Sequence, residues 1–114
     1  MSPNGAAVYA TGRSRLSVID TATNAVTDTI TLEYGDLYNQ LAISPDGCYV
    51  YVTNQQLNTI TVVSTVTKTV IKTFTYPNQN EPYGVAVSPD GRTVYVANSY
   101  VGASGTGTLS VISI

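Results

Sequence analysis

The tetrapeptide Ser2-Pro3-Asn4-Gly5 returns as Ser44-Pro45-Asp46-Gly47 and again as Ser88-Pro89-Asp90-Gly91, at nearly equal intervals along a chain of 114 residues. Each copy is a tight-turn signal. Proline pre-sets φ at the first central position, the Asn or Asp side chain bonds its own backbone, and glycine takes a positive φ at no steric cost. A tyrosine in an apolar run follows each serine at the same distance: Val8-Tyr9-Ala10, Val50-Tyr51-Val52 and Val94-Tyr95-Val96. A second run follows each: Leu16-Ser17-Val18-Ile19, Ile60-Thr61-Val62-Val63 and Leu109-Ser110-Val111-Ile112. The interval from Val18 to Ser44 equals that from Val62 to Ser88. Matched runs at equal spacing mean one supersecondary unit repeated along the chain.

The unit is made of strands. Thr and Val dominate, Tyr is frequent, and no segment carries apolar residues at i, i+3, i+4 and i+7, so the class is all-β. The first strand of a unit reads as 40–44 or 84–88. The second is 7–11, 49–53 or 93–97, the third 16–20, 59–64 or 108–112, and the fourth 25–32 or 69–76. Four strands per repeat of this length is the period of a β-propeller blade. The first and second strands are apolar on both faces, as expected of strands packed between neighbouring sheets. The fourth alternates, with Val26, Ile30 and Leu32 on one face and Thr27, Thr29 and Thr31 on the other. A β-sandwich, the main rival, requires no such repeat. The expected organisation is one partial propeller over 1–114. Residues 1–38 form a blade lacking its first strand, 39–82 a complete blade, and 83–114 a blade lacking its last. That makes about three blades, ten strands and an incomplete ring. A closed ring takes about four to eight blades, so the chain is expected to belong to a longer protein or to associate with copies of itself.

Tyr51-Val52-Thr53-Asn54, Tyr95-Val96-Ala97-Asn98, the segment Val18–Asn24 and the three Ser-Pro-(Asp/Asn)-Gly turns resemble the YVTN repeat of the surface-layer-protein-like, WD40-related β-propeller superfamily. The resemblance covers essentially the whole chain. It implies the propeller fold and an extracellular, cell-envelope or periplasmic location. It does not imply one activity, because the repeat motif is structural. Its non-enzymatic members suggest an interaction or envelope scaffold. Its enzymes suggest the alternative: a piece of a lactonase-like hydrolase or of a quinone- or haem-dependent periplasmic dehydrogenase, with the catalytic residues in other blades.

The residue inventory narrows the chemistry. There is no histidine, which removes histidine metal sites and histidine acid–base catalysis from this chain. The single Cys48 has no basic neighbour in sequence to activate it and no partner for an internal disulfide. Five Lys and Arg against seven Asp and Glu leave no footprint for a nucleic-acid backbone, so nucleic acid is not an expected partner. Tyrosine stacking on single strands is the only feature that favours it. No apolar run approaches a membrane-spanning length, and residues 1–5 have neither the basic nor the apolar region of a leader. No cofactor and no metal is expected. Gly102, Gly105 and Gly107 lack the following Lys and helix of a phosphate-binding loop and read as a hairpin.

Strand directions alternate along a blade, so second-to-third and fourth-to-first loops share one face and the tight turns share the other. The variable loops, 12–15, 54–58, 98–107, 33–38 and 77–82, all fall on the first face. The candidate ligand-binding residues there are Tyr34, Asp36, Tyr38, Asn80, Glu81, Tyr83 and Tyr100. Tyrosines serve as anchors and the amides and carboxylates as hydrogen-bonding partners. Asp36 and Glu81 occupy near-equivalent loops, the arrangement that an acid–base pair or a Ca²⁺ site would use, although two carboxylates in long polar loops are commonplace. No catalytic residue is assigned. The partner, protein or small ligand, is not specified by the sequence.

Overall fold

A computed structural model describes residues 2–12, 15–32, 38–54, 59–75, 82–98 and 108–113. Ten strands run in order: β1 (Ala7–Gly12), β2 (Arg15–Asp20), β3 (Val26–Thr31), β4 (Tyr38–Ile43), β5 (Tyr49–Asn54), β6 (Thr59–Ser64), β7 (Thr69–Thr75), β8 (Pro82–Val87), β9 (Thr93–Asn98) and β10 (Thr108–Ser113). They form three antiparallel meanders, β1-β2-β3, β4-β5-β6-β7 and β8-β9-β10, which are the three propeller blades in sequence order. The three-four-three division is the one the repeat predicts. β4 and β8 run further toward the loops than expected, because a bulge in each lets Tyr38 pair with Asn54 and Pro82 with Asn98. No helix among the described residues is long and apolar enough to cross a membrane.

Two apolar layers hold the blades together. Leu16, Val18, Ile30 and Leu32 of the first blade meet Val50, Val52 and Val63 of the second, with Tyr9, Leu41, Ile43 and Val70 against them. Tyr51, Ile60 and Val62 of the second blade meet Val94 and Val96 of the third, with Phe74, Val85, Val87 and Ile112 against them. Alternate residues of β5 therefore serve opposite layers. This period-2 geometry makes one strand contribute to two interfaces.

Two expectations about strand faces need correction. Two-sided burial belongs to β5 and β6 rather than to β4 and β5: β6 is buried at every position, including Thr59, Thr61 and Ser64, while Leu41–Ile43 of β4 are half-buried. The reason is position, since β4 is an edge of its sheet and β6 an interior strand. Val26 does not share the buried face of Ile30 and Leu32 but stands exposed. A register shift at Val18/Ile19 pairs Asp28 with Val18 and Val26 with Ile19, which turns Val26 to the opposite face. The second blade repeats the device between Val62 and Val63.

Each Ser-Pro-(Asn/Asp)-Gly turn is closed by its own side chains. In the second blade the Ser44 hydroxyl donates to Asp46 Oδ1 (2.5 Å), which also accepts the Cys48 N–H (2.9 Å), and Ser44 Oγ accepts the Tyr49 N–H (3.1 Å). Ser88 and Asp90 repeat this in the third blade, and Ser2 and Asn4 in the first. The glycines sit at φ 73°, 75° and 75°, as the turn requires. Thr21 and Thr65 donate to the carbonyls of Gly5 and Gly47, each at 2.6 Å, tying the neighbouring hairpin turn to this one.

Candidate functional site

Successive blades stack in phase, so each turn lies over its predecessor. A Cβ built on Gly47 would lie 3.4 Å from Pro3 Cδ, and one on Gly91 3.5 Å from Pro45 Cδ. Beside this contact each pair of blades leaves a cleft on the tight-turn side. The one between the first and second blades measures ≈ 260 Å³ and is lined by Ser2, Pro3, Asn4, Ala7, Tyr9 and Asp46, among others. Its repeat equivalent between the second and third blades measures ≈ 620 Å³. The larger cleft reaches beyond the turns to Ile71, Lys72 and Phe74 of β7.

Its chemistry comes from few residues. Tyr49 and Tyr51 point to one side of β5 and form an aromatic wall with Phe74, beside Val62. Tyr51 is buried, and that burial, followed by the charges of Tyr49 and Asp46, raises its phenol pKa. Lys72 Nζ sits over the Phe74 ring, 4.7 Å from the centroid. Asp46 and Asp90 stand at the two turns that border the cleft. Both carboxyl groups are held below the ordinary carboxylate range, first by the Ser44 or Ser88 hydroxyl and then by the N–H of Cys48 or Arg92. The cleft thus brings together two carboxylates, one ammonium and three aromatic rings. Cys48 is free and half-buried, 3.8 Å from the Asp46 carbonyl. No group of three or more metal-ligating side chains is found among the described residues.

The loop-face candidates fare differently. Tyr34, Asp36, Asn80, Glu81 and Tyr100 lie outside the described residues. Tyr38 opens β4 opposite Asn54, and Tyr83 falls within β8; for both, only the backbone is described. Sequence reasoning passed over Tyr49, Lys72 and Phe74 and gave Asp46 and Asp90 a turn role only. That turn role stands, and the same carboxylates also border the cleft. The available signal was the i, i+2 pair Tyr49 and Tyr51 directly after a turn whose successor stacks above it.

No protein-family model and no curated protein matches this chain. Among solved structures it is similar to hydrazine synthase of Kuenenia stuttgartiensis. The likeness has 28% identity and a TM-score of 0.83 and covers 99% of this chain. It covers 31% of the neighbour, so the chain spans less than a third of that protein's length.

Proposed function

We propose that the chain acts as a binding scaffold, a sector of a propeller that holds a partner molecule and performs no reaction itself. The observation that carries this reading is the ≈ 620 Å³ cleft, with its aromatic wall and the two turn carboxylates. A cleft of this size falls in the range of small-ligand sites. The ligand class it suits is a cation with an apolar body. Resemblance to the YVTN repeat supports placing such a scaffold in the cell envelope. The test is a titration with phenethylammonium followed by amide NMR. Shifts should concentrate at Tyr49, Lys72 and Gly91, and Tyr49→Ala should weaken binding about tenfold, the weight of one good aromatic contact. Shifts confined to residues near Tyr38 and Tyr83 would move the site to the loop face. Unchanged affinity in Tyr49→Ala would remove the cleft from consideration.

A second reading is favoured by one observation, the likeness to hydrazine synthase along nearly the whole chain. On this reading the three blades are an architectural part of an enzyme whose reacting groups lie elsewhere. Histidines or carboxylate clusters in further in-phase blades of a longer chain would support it, and further blades of the same plain composition would support the scaffold.

A further inference from the structure

The three tight turns differ at one chemically reactive position. Asn4 stands where Asp46 and Asp90 stand in the other two, and it is the chain's only asparagine followed by glycine. That dipeptide carries a reaction of its own. The glycine amide nitrogen, with no side chain to hinder its approach, attacks the asparagine Cγ. A succinimide ring closes and ammonia leaves. Water then opens the ring at Cγ to give aspartate, or at the main-chain carbonyl carbon to give isoaspartate. Asn4 is exposed, so water reaches it.

The closed turn withholds both reacting groups. The Gly5 N–H, whose proton must leave before the nitrogen attacks, donates to the Ser2 carbonyl at 2.9 Å. Asn4 Oδ1 accepts the Ser2 hydroxyl (2.8 Å) and the Ala6 N–H (2.9 Å), which fixes the carboxamide. Ser2 Oγ in turn accepts the Ala7 N–H at 3.0 Å. All these atoms lie within the turn itself, and the Asp46 turn, flanked by the Pro3 turn and the Gly91 turn, keeps the equivalent bonds. The fold also accepts one of the two products. Asp46 and Asp90 take the same pair of donors, a serine hydroxyl and a backbone N–H, so aspartate at position 4 closes the turn as they do. Isoaspartate lengthens the main chain by one carbon and breaks that geometry.

We propose that Asn4 is a site of spontaneous deamidation that the closed turn holds in check, so that the rate is set by how often the turn opens. Each event adds one negative charge to a chain whose net charge is −2. The chemistry favours the first turn over the others at neutral pH. Asp46-Gly47 and Asp90-Gly91 close the same ring only by losing water from the acid form. The Ser44 or Ser88 hydroxyl, and then the N–H of Cys48 or Arg92, hold those carboxyl groups ionised.

The test is peptide mapping by mass spectrometry, separating aspartate from isoaspartate, after incubation of the 114-residue chain at mildly alkaline pH with and without guanidinium chloride. Asn4 should convert in denaturant and convert about tenfold or more slowly in the folded chain, as for a segment open about a tenth of the time or less. Hydrogen exchange on the folded wild type should show the Gly5 N–H protected by the same factor, because both processes need that hydrogen bond broken. Ser2→Ala removes the two bonds made by the hydroxyl. It should speed conversion in the folded chain about fivefold, the weight of one exposed hydrogen bond, and leave the rate in denaturant unchanged. Asn4→Asp, the product in its normal linkage, should keep the wild-type circular dichroism spectrum and the exchange protection of the Ala6 N–H. Equal rates in the folded and denatured chain, or no acceleration in Ser2→Ala, would overturn the control by the turn. An Asn4 that stays intact in denaturant would overturn the site itself. Loss of Ala6 protection in Asn4→Asp would overturn the fit of the product, and isoaspartate forming at Asp46 or Asp90 ahead of Asn4 would overturn the assignment to the first turn.

Discussion

Replacing Gly91 isolates backbone strain from packing at one turn. Its φ is 75°, in the left-handed region. A side chain there costs about 1–2 kcal/mol. The reduced freedom of the unfolded chain offsets about 0.4–1 kcal/mol of it. The new Cβ would lie 3.5 Å from Pro45 Cδ, an ordinary contact, so Gly91→Ala adds strain without a clash. The expected loss is about 1 kcal/mol for Gly91→Ala and about 1–3 kcal/mol for Gly91→Val, where the branched side chain crowds the turn. Gly5 offers a matched control, with φ 73° and open space around its Cβ position. Gly5→Ala should lose the same amount as Gly91→Ala within about 0.5 kcal/mol, the additivity expected of unlinked sites. Gly84 is the opposite control, since its φ is not positive and its Cβ would lie 3.6 Å from Ala97 Cβ. Gly84→Ala should be neutral or stabilising. The assay is urea unfolding at one protein concentration, read by far-ultraviolet circular dichroism because the chain has no tryptophan. With a slope of about 1–3 kcal/mol/M, Gly91→Ala should lower the midpoint by about 0.3–1 M. An unchanged midpoint for Gly91→Ala, with Gly84→Ala the more damaging change, would refute the assignment of strain to the turn.

Ile60→Ala, at a fully buried position between the second and third blades, should cost about 2–5 kcal/mol. Val66→Ala, at a position 76% exposed, should stay within about 0.5 kcal/mol by the same melts. The lowered pKa values of Asp46 and Asp90 set the sign of an acid dependence. Their contribution is fully present above the unfolded carboxylate value and is lost as pH falls through the lower folded value. The double change Asp46→Asn, Asp90→Asn should therefore flatten the decline of the urea midpoint between pH 5 and 2, because the first blade already closes its turn with Asn4. An equally steep decline in the double variant would place the acid sensitivity elsewhere.

Strand number, strand order and turn geometry were legible in the chain because they depend on short-range chemistry. Three turn tetrapeptides fix where hairpins form, and the spacing between them leaves room for four strands. The side-chain closure by Ser44 and Asp46 is equally local, reaching only from Ser44 to Tyr49. The candidate site was less legible. The loop-face tyrosines were chosen because strand alternation gathers their loops on one face, whereas the cleft depends on how one blade lies over the next. Tyr49, Lys72 and Asp90 lie far apart along the chain, in two different blades, and meet only after the sheets stack.

The sequence by itself determined that this chain makes propeller blades, because repeat period, turn residues and apolar runs all specify the same local unit. The tertiary structure decided which face each residue occupies. Val26 illustrates the difference: its alternation with Ile30 assigns it to the core, and a single extra residue at the β3 bulge moves it outward. It also decided that Val94 is buried and Tyr95 exposed in a run where both are apolar. The physical reason is that hydrophobic character is a property of a residue, while burial needs a partner surface, and for a repeat that surface belongs to the neighbouring blade.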